Sequence, residues 1–170
     1  ADRVHVHDAR VYDQMQYIGT SSAGTELWLH KRVVSAEKIL VIGSVEPHYF
    51  AGYTGGRKAF LPGTAAYRSI EQNHKLALSA KAKTLALEGN PVHEDMMDAV
   101  ALIDIPVFSI MTVLDKHQQI HSVFAGSLKG AFHAAITSAD SIFVADIPEK
   151  VDVVVSVARY PMDVDLYQAQ

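Results

Sequence analysis

The chain comprises 170 residues, 49% hydrophobic and 20% charged, a composition that excludes a disordered or fibrous protein and fits one or two soluble globular domains. A net charge of −4, a pI near 6.1 and scattered Lys and Arg exclude the basic footprint of a nucleic-acid binder or a membrane-surface protein, so a small-molecule ligand is expected. With no cysteine, disulfides, thiolate metal sites and cysteine nucleophiles are excluded, and a reducing cytoplasm is the fitting compartment.

In chain order, short β-branched runs predict strands at residues 4–7, 27–30, 38–43, 107–114, 119–124, 141–145 and 151–157. Segments of helical period lie between several of them. One helix is predicted over 64–85, placing Tyr67, His74, Leu78 and Lys81 on one side. A second starts at Asn90-Pro91, with Asn as cap and Pro at the first helical position, and buries a stripe of Met96, Met97, Val100, Ala101 and Ile103. Residues 115–118 read as a polar turn between two strands, and 147–150 as a linker.

The expected fold is therefore α/β, a largely parallel sheet flanked by helices, with the first strand of a second α/β domain at the C-terminal end. Residues 1–146 are read as an incomplete N-terminal cofactor-binding domain and 151–170 as the start of a C-terminal one. A chain that begins with Ala1 and stops after Tyr167-Gln168-Ala169-Gln170 reads as a piece of a longer protein. Its apolar runs, at 39–42 and 151–157, are far shorter than the roughly 20 residues of a membrane-spanning helix, and no signal peptide is read.

The chemistry concentrates in residues 46–63, EPHYFAGYTGGRKAFLPG, directly after an apolar strand. In open α/β sheets ligands gather at the carboxyl ends of strands, which is where this loop lies. Gly55-Gly56 permits close backbone approach to an anion, and with Arg57 or Lys58 the loop suits a phosphate; the same glycines also fit a plain tight turn. It is not a P-loop, because the spacing GxxxxGK[ST] is absent. Lys58 beside Arg57 is either a solvated surface lysine or an amine whose charged form is disfavoured, and so open to covalent attachment.

Of the nine histidines, His5, His7, His30, His93, His117, His121 and His133 occupy ordinary structural contexts. His48 and His74 differ, standing ten residues before Lys58 and sixteen after it.

Those spacings, in HYFAGYTGGRK with Pro62-Gly63 and then Asn73-His74, resemble the nickel-pincer lactate racemase family. The resemblance extends over nearly the whole chain: GTSSAGT at 19–25, the long loop, the helix start at 89–92, VFAG at 123–126 and the terminal Tyr-Gln-Ala. It implies a racemase or epimerase of small, lactate-like 2-hydroxy acids, carrying a nickel pincer nucleotide made by cofactor-synthesis enzymes. Lys58 matches the lysine that attaches the cofactor through a thioamide, with Gly55, Gly56 and Arg57 beside it. His74 matches the histidine that completes the nickel coordination. His48 matches one of two acid/base histidines, handling the hydroxyl proton while the α-hydrogen moves as hydride. Gln168 matches a glutamine of the substrate region.

The resemblance also implies that the second histidine and a carboxylate-binding arginine lie in an N-terminal portion outside this chain, so that the chain by itself is expected to be inactive. Two other functions compete. One is a Schiff-base enzyme holding pyridoxal phosphate on Lys58, and the other a cofactor- or anion-binding module without turnover.

Overall fold

A computed structural model describes residues 3–155, 157–158, 160 and 163–164. The chain begins with a hairpin of β1 (Met15–Thr20) and β2 (Glu26–His30), followed by the single turn α1 (Lys31–Val34). Next come β3 (Ile39–Ser44), a miniature hairpin of β4 (Pro47–His48) and β5 (Gly52–Tyr53), and a 3-10 turn at Gly56–Ala59. Helices α2 (Tyr67–Lys75) and α3 (Pro91–Ala101) precede β6 (Val107–Leu114) and β7 (Ile120–Ser127), and α4 (Leu128–Phe143) follows.

The main sheet is three strands in the order β3-β6-β7, and it corrects the expectation of a largely parallel sheet. β3 and β6 are parallel, joined by the long crossover that carries α2 and α3, whereas β6 and β7 are antiparallel. The cause is the short connection between them, since a tight turn can join only antiparallel neighbours. Asp115 accepts hydrogen bonds from the N–H groups of His117 and Gln119 at 2.8 and 3.0 Å, closing the predicted turn. The fold is mixed α/β.

One face of the sheet presents Val41, Met111 and Val113 to α4, whose buried Leu128, Ala131, Phe132, Ala135 and Ala139 repeat at helical spacing. This helix overturns the strand predicted at 141–145. Ser127 caps it by accepting from the Gly130 N–H, and Ile142 and Phe143 complete its last turn rather than starting a ladder. The Asn90 cap is found as expected, with its side chain accepting from the N–H groups of Val92 and His93, and Val92, Met96 and Ala99 are fully buried.

The helix predicted over 64–85 shrinks to α2 and a 3-10 turn at Leu76–Leu78. Residues before it are held extended, with Ala66 N–H donating to Trp28 O, and residues after it form turns, so Lys81 leaves the helix and Leu78 is exposed. Neither the 4–7 nor the 151–157 run forms a strand among the described residues. Val4, Val6, Val153 and Val154 are all exposed, because a strand needs a partner edge as well as a β-branched sequence. Gln168 lies outside the described residues. Among the described residues no helix is long and apolar enough to cross a membrane.

Candidate functional site

The site grows from the carboxyl end of β3. Val45 N–H continues the ladder to Thr112 O, and Glu46 then turns the chain outward, its backbone paired with Thr54 in both directions. Between them the β4–β5 hairpin sets His48 opposite Gly52. Gly55 and Gly56 both adopt positive φ, at 79° and 54°, and the 3-10 turn that follows brings Lys58 to a cavity of about 320 Å³. Ser44, Glu46, Thr54, Gly55 and Gly56 line the same cavity.

The left-handed backbone at Gly55 is a requirement of the turn. A Cβ there would lie 2.6 Å from Ser44 O and 2.8 Å from a Val45 methyl group. Gly55→Ala is therefore expected to cost about 2 kcal/mol or more in a denaturant titration, from backbone strain and clash together. A variant within a few tenths of a kcal/mol of the parent would remove this account of the loop.

Three of the sequence-predicted residues meet around the buried ring of Phe50. The His48 ring centroid is 4.6 Å away at a near-perpendicular angle, that of His74 is 5.1 Å away, and Lys58 Nζ stands 6.0 Å over the ring. The Asn90 side chain donates to Phe50 O at 2.9 Å, fixing this hub to the start of α3. Tyr49 stacks on His48 at 5.0 Å and meets Phe50 edge-on at 4.6 Å. Phe50 itself was not singled out in the sequence, where it reads as one more apolar position inside the motif.

Burial sets the protonation of all three. His48 is pushed down to about 4, by burial first and then by the charges of Lys58, Arg57 and His74. Lys58 is pushed down to about 8 by burial and by Arg57, against the attraction of Glu46. Burial also lowers His74, with Lys58 adding to the effect and the Ile70 carbonyl opposing it. At neutral pH both imidazoles are uncharged, and the Lys58 amine is far easier to deprotonate than a surface lysine.

The tautomers follow from the backbone. His74 Nδ1 lies 2.8 Å from Ile70 O, so it carries the proton and Nε2 keeps its lone pair. His48 has the opposite arrangement, with Nδ1 accepting from the Phe50 and Ala51 N–H groups at 3.4 and 3.2 Å. Its proton therefore rests on Nε2.

Gly56 lines the cavity, but neither its N–H nor the Arg57 guanidinium is offered there as an anion cradle. Gly56 N–H donates to the Met111 sulfur at 3.2 Å. Arg57 is 1% exposed and directed inward, giving hydrogen bonds to the carbonyls of Ala51 at 2.7 Å and Tyr53 at 2.9 Å. The cation that reaches the cavity is Lys58.

A second polar cluster went unread in the sequence except as motif fragments. The buried Asp95 carboxylate on α3 accepts from Ser21, Thr25 and Asn73 side chains, tying the β1–β2 turn to the helix that carries His74. Its members lie far apart in sequence, so no local pattern marks them. Tyr53 is likewise anchored, donating to Asp140 on α4 at 2.7 Å.

Comparison with known proteins gives three findings. A family model described as the lactate racemase N-terminal domain matches residues 1–85. The lactate racemases of Thermoanaerobacterium thermosaccharolyticum and Lactiplantibacillus plantarum are 34% and 32% identical over 96% and 99% of this chain, which spans 39% and 40% of their lengths. The solved structure of the Thermoanaerobacterium thermosaccharolyticum lactate racemase apoprotein superposes with a TM-score of 0.77 at 36% identity, covering 81% of this chain and 33% of that one. A crystal structure of a Thermotoga maritima protein, at 17% identity and a TM-score of 0.70, covers 81% of this chain and 39% of that one and shares the fold alone. The chain thus spans about two-fifths of the curated relatives it matches.

Proposed function

The chain belongs to the lactate racemase family, and on that premise we propose that it carries the cofactor site and one acid/base histidine of a racemase or epimerase of small, lactate-like 2-hydroxy acids. The observation that carries the reading is the gathering of Lys58, His48 and His74 around Phe50, with the Nδ1 of His74 engaged by Ile70 O and its Nε2 making no hydrogen bond among the described residues.

The donor chemistry fits the nickel pincer nucleotide that the family implies. A metal-ligating imidazole characteristically donates its other N–H to a carbonyl or carboxylate, as His74 does to Ile70. Among the described residues no group of three or more His, Asp or Glu is placed to hold a metal. Nickel at His74 accordingly needs further donors, and a pincer nucleotide brings its own. Lys58 is the residue that holds the nucleotide, through an amine that burial has made available. When bound, the group supplies the acceptor for the substrate α-hydrogen as hydride.

His48 manages the hydroxyl proton. In the tautomer described it donates a hydrogen bond from Nε2 to a substrate oxygen. Taking the hydroxyl proton at Nε2 requires the other tautomer, which gives up both contacts and turns the Nδ1 proton toward the Phe50 and Ala51 N–H groups, so the exchange carries a cost. Burial and the nearby cations keep the ring uncharged across the neutral range, the form that can accept a proton. Tyr49 stacks on the ring and Phe50 meets it edge-on, which fixes its orientation.

The pyridoxal phosphate reading needs a phosphate cradle beside Lys58, and the committed donors of Gly56 and Arg57 do not favour it. The decisive experiment is production of the chain together with the cofactor-synthesis enzymes, followed by intact mass, nickel content and peptide mapping. An adduct on Lys58 with matching nickel is expected. A protein that gains neither mass nor nickel would sink the proposal.

A second outcome concerns turnover. Two histidines are needed because the enantiomers present their hydroxyls differently, and His48 is one candidate of that pair. Groups that act as one catalytic unit lose most of the rate when any member is missing. The 170-residue chain alone, loaded with cofactor, is expected to show no interconversion of D- and L-lactate, and measurable racemisation in a polarimetric or coupled assay would contradict the half-pair assignment.

A further inference from the structure

Arg57 is a buried cation with no counter-ion among the described residues. It is 1% exposed, and the ion pairs among the described residues, Arg68–Glu26 and Lys75–Glu71, leave it out. A guanidinium in that position needs its N–H groups satisfied; the loop supplies acceptors for both terminal nitrogens, while the buried Nε has no hydrogen-bond partner among the described residues. One terminal nitrogen donates to Ala51 O and Tyr53 O, and the other to Thr54 O at 3.4 Å and Gly55 O at 3.3 Å. Its carbon centre lies 4.5 Å over the ring of Phe132 on α4. Four carbonyls of a five-residue stretch thus converge on one side chain, next to the residue that the site requires at the cavity.

We propose that Arg57 is a positioning residue, an internal strut whose guanidinium draws the carbonyls of Ala51, Tyr53, Thr54 and Gly55 inward and thereby sets the Lys58 amine at the cavity, without contacting the cofactor itself. The proposal takes from the functional reading only that Lys58 is the reactive amine. A planar fork whose four terminal N–H groups point in fixed directions suits this task, and a lysine ammonium cannot reproduce it. The strut also places a positive charge beside Lys58, which acts with burial to favour the neutral amine. The other charged or titratable groups that act on Lys58 are Glu46, His48 and His74.

The test uses the 170-residue chain without cofactor, comparing the wild type with Arg57→Gln and Arg57→Lys. Amide hydrogen exchange reads the loop, and the pH profile of Lys58 acetylation by a small activated ester, followed by peptide mapping against exposed Lys75, reads the amine. The wild-type profile is expected to turn over near 8. In Arg57→Gln the midpoint is expected to rise by about one pH unit, about tenfold less free amine at neutral pH. Exchange of the Thr54, Lys58 and Phe60 amides should quicken while β3 and β6 stay protected. Arg57→Lys should restore the midpoint in part and leave the loop loose.

A folded Arg57→Gln chain with an unchanged midpoint and an unchanged loop would overturn the proposal. Should Arg57→Gln not fold, Phe132→Leu removes the ring beneath the guanidinium, and the same two shifts are expected at smaller size; their absence is equally fatal. Neither readout involves nickel, so a wild-type chain that never takes up cofactor would count against the functional reading and leave the strut standing.

Discussion

Lys58→Arg is expected to abolish the covalent mass increase in cofactor-loaded protein, leaving at most weak, dialysable nucleotide. The substitution preserves charge, so a lysine that merely balanced a phosphate would tolerate it. Covalent capture would not, because acylation needs a free amine and a guanidinium stays protonated throughout the working range. Lys58 meets that need through its surroundings. With a value near 8, roughly a tenth of the amine is neutral at pH 7, and that fraction rises as pH increases. Adduct formation should rise with pH over the same window. Intact mass and peptide mapping decide the matter: an adduct that persists in the variant on another residue defeats the assignment, whereas active but noncovalent nickel cofactor in the wild type removes only the covalent link.

The second large effect separates the two histidines. His74→Ala should lower nickel retention after dialysis by at least about tenfold, since even the outer partners of metal ligands cost tenfold or more when removed. His48→Ala should retain nickel, because its Nδ1 is engaged by backbone N–H groups and its role lies with the hydroxyl proton. In a longer protein that supplies the rest of the catalytic pair, both variants should lose racemisation. Metal analysis therefore discriminates where an activity assay cannot. Equal nickel loss from the two would mean that ligand and base have been assigned the wrong way round, or that both imidazoles bind metal.

Asp95 ties down the helix that carries His74. Its carboxylate accepts from Asn73, the residue before His74, and from Ser21 and Thr25 of the β1–β2 turn. Three motif fragments that are separate in sequence, GTSSAGT, Asn73-His74 and the helix opening at Asn90, are thereby one buried polar network. Each recurs in the resemblance as an isolated string, and only the fold gives them a common reason.

What the sequence determined by itself was local or carried by a contiguous motif. The Asn90-Pro91 cap, the Asp115 turn and the apolar runs at β2, β3, β6 and β7 depend on neighbours within a few residues, and all were legible. So was the family, because the loop from Glu46 to Gly63 and the spacing to His74 are written in linear order.

Tertiary structure decided the rest. A run such as SIFVA suits a strand or the last turn of a helix equally well, and it became helix because Leu128, Phe132 and Ala135 had a sheet face to bury against. The runs at 4–7 and 151–157 met no partner edge among the described residues and formed no strand there. Arg57 and Lys58 are adjacent cations in sequence, yet one is turned under the loop onto Phe132 and the other out to the cavity. Which of two neighbouring charges is buried depends on what lies beneath the loop, and here that is a helix seventy residues further along the chain. The tautomers of His48 and His74 were settled in the same way, by whether the backbone group beside Nδ1 is an N–H or a carbonyl.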